Sequence, residues 1–280
     1  MDPARIALRD VGRHGRLDLT FECRRGRTVL AHAYAEPPLR VGSTFDADGA
    51  AYLILVCYGP GIFAGDTLRQ SVHVKPGARV VLVSQSALQI HPGASGAPAR
   101  IDHEYRVDDG GELHCDWDPV IPFAAARLDQ RFDLQIAGDA RLYWSDAIMS
   151  GRATRGERWQ FDVLSHELCL RVDGRLDYLE RYRLAPGDRQ PARLWVAGDS
   201  DYFSTTLVRD RRANRDHSDV LQRSLDGEEC VTAGVDLVAD CLLAARLLSS
   251  SGVAFAAARR AARSFACASI FERPDLADRK

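Results

Sequence analysis

The sequence predicts a mainly β chain of stacked strand units with helical structure at its C-terminal end. Three observations carry this expectation. Apolar and polar residues alternate through most of residues 40–185, which is the strand period. Turns rich in glycine recur every 28 to 36 residues, at Lys75-Pro76-Gly77, Asp109-Gly110-Gly111, Ala137-Gly138-Asp139 and Asp173-Gly174. That spacing is a weak internal repeat and suggests stacked strands rather than βαβ units. Between residues 40 and 185 no helical period stands out, so a sheet with crossover helices is not expected.

Taken in order, residues 5–34 read as short strands broken by Gly12, Gly15 and Gly26, with Leu17, Leu19, Phe21 and Cys23 alternating. Pro37-Pro38 then interrupts the chain. An apolar run, Tyr52–Cys57, enters the loop Gly59-Pro60-Gly61-Ile62-Phe63-Ala64-Gly65-Asp66, and two alternating segments flank Lys75-Pro76-Gly77-Ala78. Further strands follow the loop at 92–99: Ile101, His103, Tyr105 and Val107 share a face, as do Leu113, Cys115 and Trp117, then Leu128, Phe132, Leu134 and Ile136. Asp-Gly between alternating runs reads as a hairpin turn, because both central residues take positive φ. Residues 186–233 are the least readable, and 209–219 are expected to be partly mobile. Leu237, Val238, Cys241, Leu242, Ala245 and Leu248 fall on one face at helical spacing, with Asp236, Asp240 and Arg246 off that face; after Ser249-Ser250-Ser251-Gly252, an alanine-rich segment with Phe255 and Phe265 resumes it. The expectation is a single domain over 1–280, with a β-stack over 1–230 and a helical pair over 235–272.

Composition narrows the function classes. In 280 residues, 37 basic and 39 acidic side chains leave a net charge of -2 and a pI near 6.4. Nothing there points to nucleic acid or an anionic membrane as a partner. The apolar stretch Gly252–Phe271 contains Arg259, Arg260 and Arg263, so no membrane span is expected. Met1-Asp2-Pro3-Ala4-Arg5 lacks an apolar core, and no secretory signal is expected. Seven cysteines without C-x-x-C spacing fit reduced thiols in the cytoplasm better than a disulfide framework or a zinc site.

The glycine loop at 59–66 invites a nucleotide reading, which its neighbours reject. A P-loop needs lysine after its last glycine, and Asp66 stands there; a dinucleotide fingerprint needs a helix next, and Ser71-Val72-His73-Val74 alternates like a strand. Three carboxylates say more. Asp66 keeps phase with Leu68, Val72 and Val74; Asp146 with Leu142, Trp144 and Ile148; Glu180 with Leu176, Tyr178, Tyr182 and Leu184. All three are expected to point inward, where a carboxylate must be paired, protonated or ligated. Beside water, such acids hold a divalent cation loosely, so they are candidates to line an interior metal passage. His91 and His103 are weaker metal candidates, since no fixed ligand spacing joins them. No G-x-S-x-G elbow supports a serine nucleophile. The alternative function is a metal-dependent small hydrolase or lyase on a β scaffold, using His91 or His103 with an inward acid.

Together, these residues resemble the urease accessory protein UreD family, also called UreH. The matching stretches are Pro38-Leu39-Arg40; Pro60 to Leu68 with Gly61, Gly65 and Asp66; Pro76-Gly77-Ala78-Arg79; and Asp118 to Phe123 with Pro122 and Phe123. Asp146 with Gly151-Arg152, Arg155-Gly156-Glu157, and Asp173-Gly174 leading to Glu180-Arg181 complete the set. Two stretches depart: Ser84–Pro92 replaces the family's usual T-T-x-A-x-K-x-Y-R, and Arg273-Pro274-Asp275-Leu276 replaces its frequent P-R-x-W, which marks a divergent member. The resemblance implies a helical stack of β-strands, two-layered and solenoid-like, with two C-terminal α-helices. It also implies a non-enzymatic accessory role: binding UreF, through it the GTPase UreG, and the urease apoprotein, with room for homodimerisation inside the complex. No tightly bound cofactor is implied. Nickel would be in transit, past the acidic positions that Asp66, Asp146 and Glu180 match.

Overall fold

The computed structural model describes residues 13–94, 96–188 and 197–276. The expectations for the leader region and Gly12, and those for residues 189–196 within the unreadable stretch, lie outside the described residues.

Strands β1 (His14–Arg24) and β2 (Arg27–Ala35) form an antiparallel hairpin, as do β3 (Leu39–Ala47) and β4 (Ala50–Cys57). The chain then winds as a coil. Its successive strands are β5 (Ile62–Phe63), β6 (Thr67–Val74), β7 (Arg79–Ser84), β8 (Leu88–His91), β9 (Ala99–Val107) and β10 (Glu112–Asp116). The coil continues through β11 (Val120–Pro122), β12 (Arg127–Ile136) and β13 (Arg141–Met149), and the short antiparallel pair β14 (Gly151–Arg152) and β15 (Glu157–Arg158) follows. β6, β9 and β12 stack in parallel in a first sheet, and β7, β10 and β13 in a second, while β5, β8 and β11 make a narrow third side. Each turn of the coil sets a residue beside its counterpart: Leu68 beside Ile101, Ile101 beside Gln130. The solenoid-like stack that the repeat and the resemblance suggested is therefore present, with parallel sheets and no crossover helices.

The turns need a correction. Gly77, Gly110 and Gly138-Asp139 are corners that carry the chain from the first sheet to the second, so they join no hairpins. Of the four glycine turns, Asp173-Gly174 alone links antiparallel neighbours, β16 (Val163–Val172) and β17 (Arg175–Leu184). Positive φ, found at Gly77 (69°) and Gly110 (62°), redirects the chain; which strand then accepts its hydrogen bonds is decided by the stack.

The inner faces form one core. Leu68, Val72, Ile101, Tyr105 and Leu134 from the first sheet meet Leu53, Leu82, Leu113, Leu142 and Trp144 from the second. The outer face of the first sheet carries a row of alternating charge, Arg69, Asp102, Arg131, Glu167 and Arg181 in register, and stays solvated. The second sheet extends through β18 (Tyr202–Arg209), and helix α1 (Arg215–Leu225) follows it in sequence. Next come the antiparallel pair β19 (Val231–Ala239) and β20 (Leu242–Ser249), then helix α2 (Gly252–Phe265).

Here the helix expected from Leu237 to Leu248 is corrected to two strands. Half-buried Val235, Leu237 and Ala239 alternate with exposed Gly234, Asp236 and Val238, and Cys241 turns the chain at φ 61°. A short apolar run satisfies both periods, and pairing with β18 selects the strand. Among the described residues the C-terminal part does carry two α-helices, but the first is α1, inside the hard-to-read stretch 186–233 and overlapping residues 209–219. The Asn214 side chain caps α1 by accepting from the His217 N–H, and Ser251 caps α2 by accepting from the Ala254 N–H. Their apolar sides (Leu221, Leu225, Phe255, Ala258, Ala262) cover Ala147, Ala245 and Leu247 on the second sheet.

Candidate functional site

All three acids expected to point inward are buried: Asp66 is 5%, Asp146 6% and Glu180 8% exposed. Their surroundings divide them. Asp66 closes the glycine loop, its carboxylate accepting the N–H of Arg13 at 2.8 Å and of Phe63 at 2.9 Å. It shares no hydrogen bond or ion pair with the other two among the described residues.

Asp146 and Glu180 line one pocket in the gap between the sheets. Asp146 lies on β13 in a row that crosses to Thr205 on β18 and Arg246 on β20. Glu180 faces that row from β17. The Trp144 indole N–H donates to Asp146 at 3.0 Å, and His166 Nδ1 lies 3.9 Å from its other oxygen. The Tyr178 hydroxyl donates to Glu180 at 2.8 Å, the Thr205 hydroxyl at 3.0–3.1 Å and Arg246 Nη2 at 3.2 Å. Burial pushes the Asp146 carboxyl upward; His166 opposes the shift and the nearby Glu180 charge adds to it. The pair lines a pocket of about 290 Å³ together with Trp159, Tyr182, Phe203 and Arg246.

Two groups of interior polar side chains follow along the first sheet, one on either side of the Phe132 ring. The His166 ring stacks on Tyr182 at 4.7 Å, and Gln130 Nε2 donates to His166 Nδ1 at 2.6 Å. Farther along, Gln70 Nε2 donates to the Tyr105 hydroxyl at 2.8 Å, and that hydroxyl lies 3.3 Å from His103 Nδ1. His103 Nε2, His166 Nε2, Gln130 Oε1 and Trp117 Nε1 are buried without a hydrogen-bond partner. Unmatched polar atoms at these two places along the interior seam suit a polar guest, such as water or an ion in passage. A second pocket, of about 170 Å³, opens at the glycine-loop end against Gln70, His103 and Trp117.

The two weaker metal candidates lie apart. His103 is in the seam, its imidazole pushed down to about 3 by burial. His91 sits on β8 outside the core, where its Nε2–H donates to the Pro60 carbonyl at 2.8 Å. Among the described residues, no group of three or more His, Cys, Asp and Glu is placed to hold a metal ion together. What the pocket offers a cation is two carboxylates, Asp146 and Glu180, a donor set for loose, exchangeable holding.

Most of the family-motif residues gather at one corner, around the narrow third side. Phe63 stacks on His91 at 4.6 Å, His91 meets the Phe123 edge at 4.4 Å, and the Arg152 guanidinium lies 3.9 Å from the Phe123 ring centre. Arg152 holds Glu157 by two hydrogen bonds, and Gly156 closes the short turn between them in the left-handed region. Pro122 ends β11 beside them. Gly61 (φ 122°) and Gly151 (φ 130°) admit no side chain: a Cβ would sit 2.2 Å from the Gln89 carbonyl oxygen and 2.1 Å from that of Glu157. Gly65 turns the chain into Asp66 at φ 85°. Gly77 lies elsewhere, at a corner between the sheets.

Sequence reasoning missed His166, Thr205 and Arg246. His166 kept phase with Leu164, Leu168 and Leu170, a signal that was present and unused. Arg246 is the single charge in the apolar run Leu242–Ser249, which the helical reading assigned to an outer face.

Comparison with known proteins bears on this arrangement. A family model described as UreD urease accessory protein matches residues 13–280. A protein named urease accessory protein UreD from Sorangium cellulosum is 35% identical over 178 residues, covering 64% of this chain and 56% of that protein. One of the same name from Trichodesmium erythraeum is 32% identical over 170 residues, covering 55% and 61%. Urease accessory protein UreD 2 from Streptomyces griseus is 30% identical over 264 residues, covering 89% and 87%. The matched part of this chain thus spans little more than half the length of the first two relatives and most of the third.

Proposed function

The chain belongs to the UreD urease accessory protein family, and from that premise we propose that it is a nickel-delivery scaffold for urease. In this reading it performs no covalent chemistry. It binds UreF, through it UreG, and the urease apoprotein, in the cytoplasm, and nickel passes through its interior as cargo. The observation that carries the reading is the pocket that Asp146 and Glu180 line between the sheets, together with a seam of buried polar atoms without partners.

The chemistry follows from that geometry. A hydrated divalent cation loses favourable hydration on entering a protein interior, and carboxylates restore it. Two acids with no third strong ligand leave most of the coordination shell to water, so the ion is attracted without being trapped. Asp66, already satisfied by two backbone N–H groups, serves first to fix the loop at the other end of the stack. No helix among the described residues is long and apolar enough to cross a membrane. For UreF we assign the outer side of the helical layer, where Val220 and Val253 are exposed.

Co-expression tests the partner side. The chain is expected to co-purify with UreF and, when UreG and apo-urease are added, with urease. Failure to recover any complex with UreF or urease would remove the scaffold reading.

A further inference from the structure

We propose that Arg246 is a resident counter-ion gate: its guanidinium occupies the place beside Glu180 that a divalent cation takes in transit, and so keeps the site weak. The inference rests on the nickel-passage reading above.

The geometry is specific to this side chain. Arg246 Nη2 donates both to Glu180, at 3.2 Å, and to the Tyr178 hydroxyl, at 3.0 Å. Tyr178 in turn donates to the same carboxylate. Glu180 therefore has its charge met from one side by a single cation. The two partners differ in freedom: the Glu180 side chain is 9% exposed and that of Arg246 is 60% exposed. An ion pair with one end in water contributes little and opens readily. Opposite Arg246 on β19 stands Gly234, where an added Cβ would meet nothing within 4 Å. The guanidinium has open space to swing into.

Two further observations mark a guest site behind the gate. His166 is 2% exposed, its Nδ1 lies 3.9 Å from Asp146, and its Nε2 has no partner. Gln130, beside it, has its Oε1 buried and unmatched. Polar atoms left unpaired this deep are matched when water or an ion enters. With Arg246 in place, one guanidinium stands against the two carboxylates, Asp146 and Glu180. With Arg246 swung out, the two carboxylates line the pocket without a fixed cation.

Nickel chloride titrated calorimetrically into the purified full-length chain tests this, comparing wild type, Arg246→Gln, Arg246→Lys, Glu180→Gln and Arg246→Gln/Glu180→Gln. Removal of the guanidinium is expected to tighten nickel binding about tenfold. Arg246→Lys should stay near wild type, because the charge remains, and the double variant should lose the gain. A purely structural role for Arg246 would loosen binding or leave it alone. Equal affinity in wild type and Arg246→Gln, with Glu180→Gln weakening both, overturns the gate and leaves the passage standing. Nickel binding that ignores Glu180 in every background overturns the passage and the gate with it.

Discussion

Replacing Trp144 with alanine is expected to lower stability by about 3–5 kcal/mol, as for other large-to-small changes of a buried aromatic. Trp144 is fully buried where the two sheets meet, with the Tyr105 ring at 5.1 Å, the Phe132 ring at 5.0 Å and the Trp117 ring at 6.1 Å. Its removal leaves a cavity that three rigid rings cannot close, and it also strips Asp146 of its indole donor. In a domain of this size, the midpoint of thermal unfolding should fall by roughly 5–9 °C. Trp144→Phe separates the two effects. It keeps most of the volume, so its cost should come mainly from the lost N–H and stay near 1–2 kcal/mol. Thermal and denaturant unfolding of both variants measure the difference; equal losses would show that the core here is looser than its packing implies.

Acid sensitivity is the second large effect, and its sign follows from His103. Burial holds this imidazole down to about 3, whereas in the unfolded chain it titrates near its ordinary value of about 6.5. Between those values the unfolded state binds the extra proton, so stability rises with pH and is lost on acidification. Lowering the pH from 7.5 to 4.5 should cost about 3 kcal/mol through this residue alone. Asp146 acts the other way: its raised carboxyl favours the folded state as the solution becomes more acid, and so offsets part of the loss. In His103→Phe, denaturant midpoints at the two pH values should converge. An undiminished pH slope in that variant would rule out His103 as its source.

The sequence made the strands and their inward faces legible, because period-two alternation survives whatever a strand pairs with. All three acids assigned by that phase are buried. Alternation could not show which acids meet. Asp66 lies at a turn, where backbone N–H groups reach it, while Asp146 and Glu180 come together only because β17 folds back against the β13–β18–β20 row. Partnering across sheets is a property of the stack and leaves no mark in local spacing. For the same reason Asp109-Gly110 looked like a hairpin and proved to be a corner between sheets. The helical reading of 237–248 failed on a true ambiguity, and with it went Arg246. The departing stretch Ser84–Pro92 still forms β8, and it places His91 between Phe63 and Phe123, where it takes part in the ring contacts of the corner.

The central claim is that nickel reaches urease past Asp146 and Glu180. Its most direct test is the nickel content of urease purified after co-expression with UreF, UreG and this chain carrying Asp146→Ala, Glu180→Ala or both. The account predicts an intact accessory complex and urease with markedly reduced nickel, lowest in the double variant. Full nickel occupancy with the double variant, in an intact complex, would contradict it.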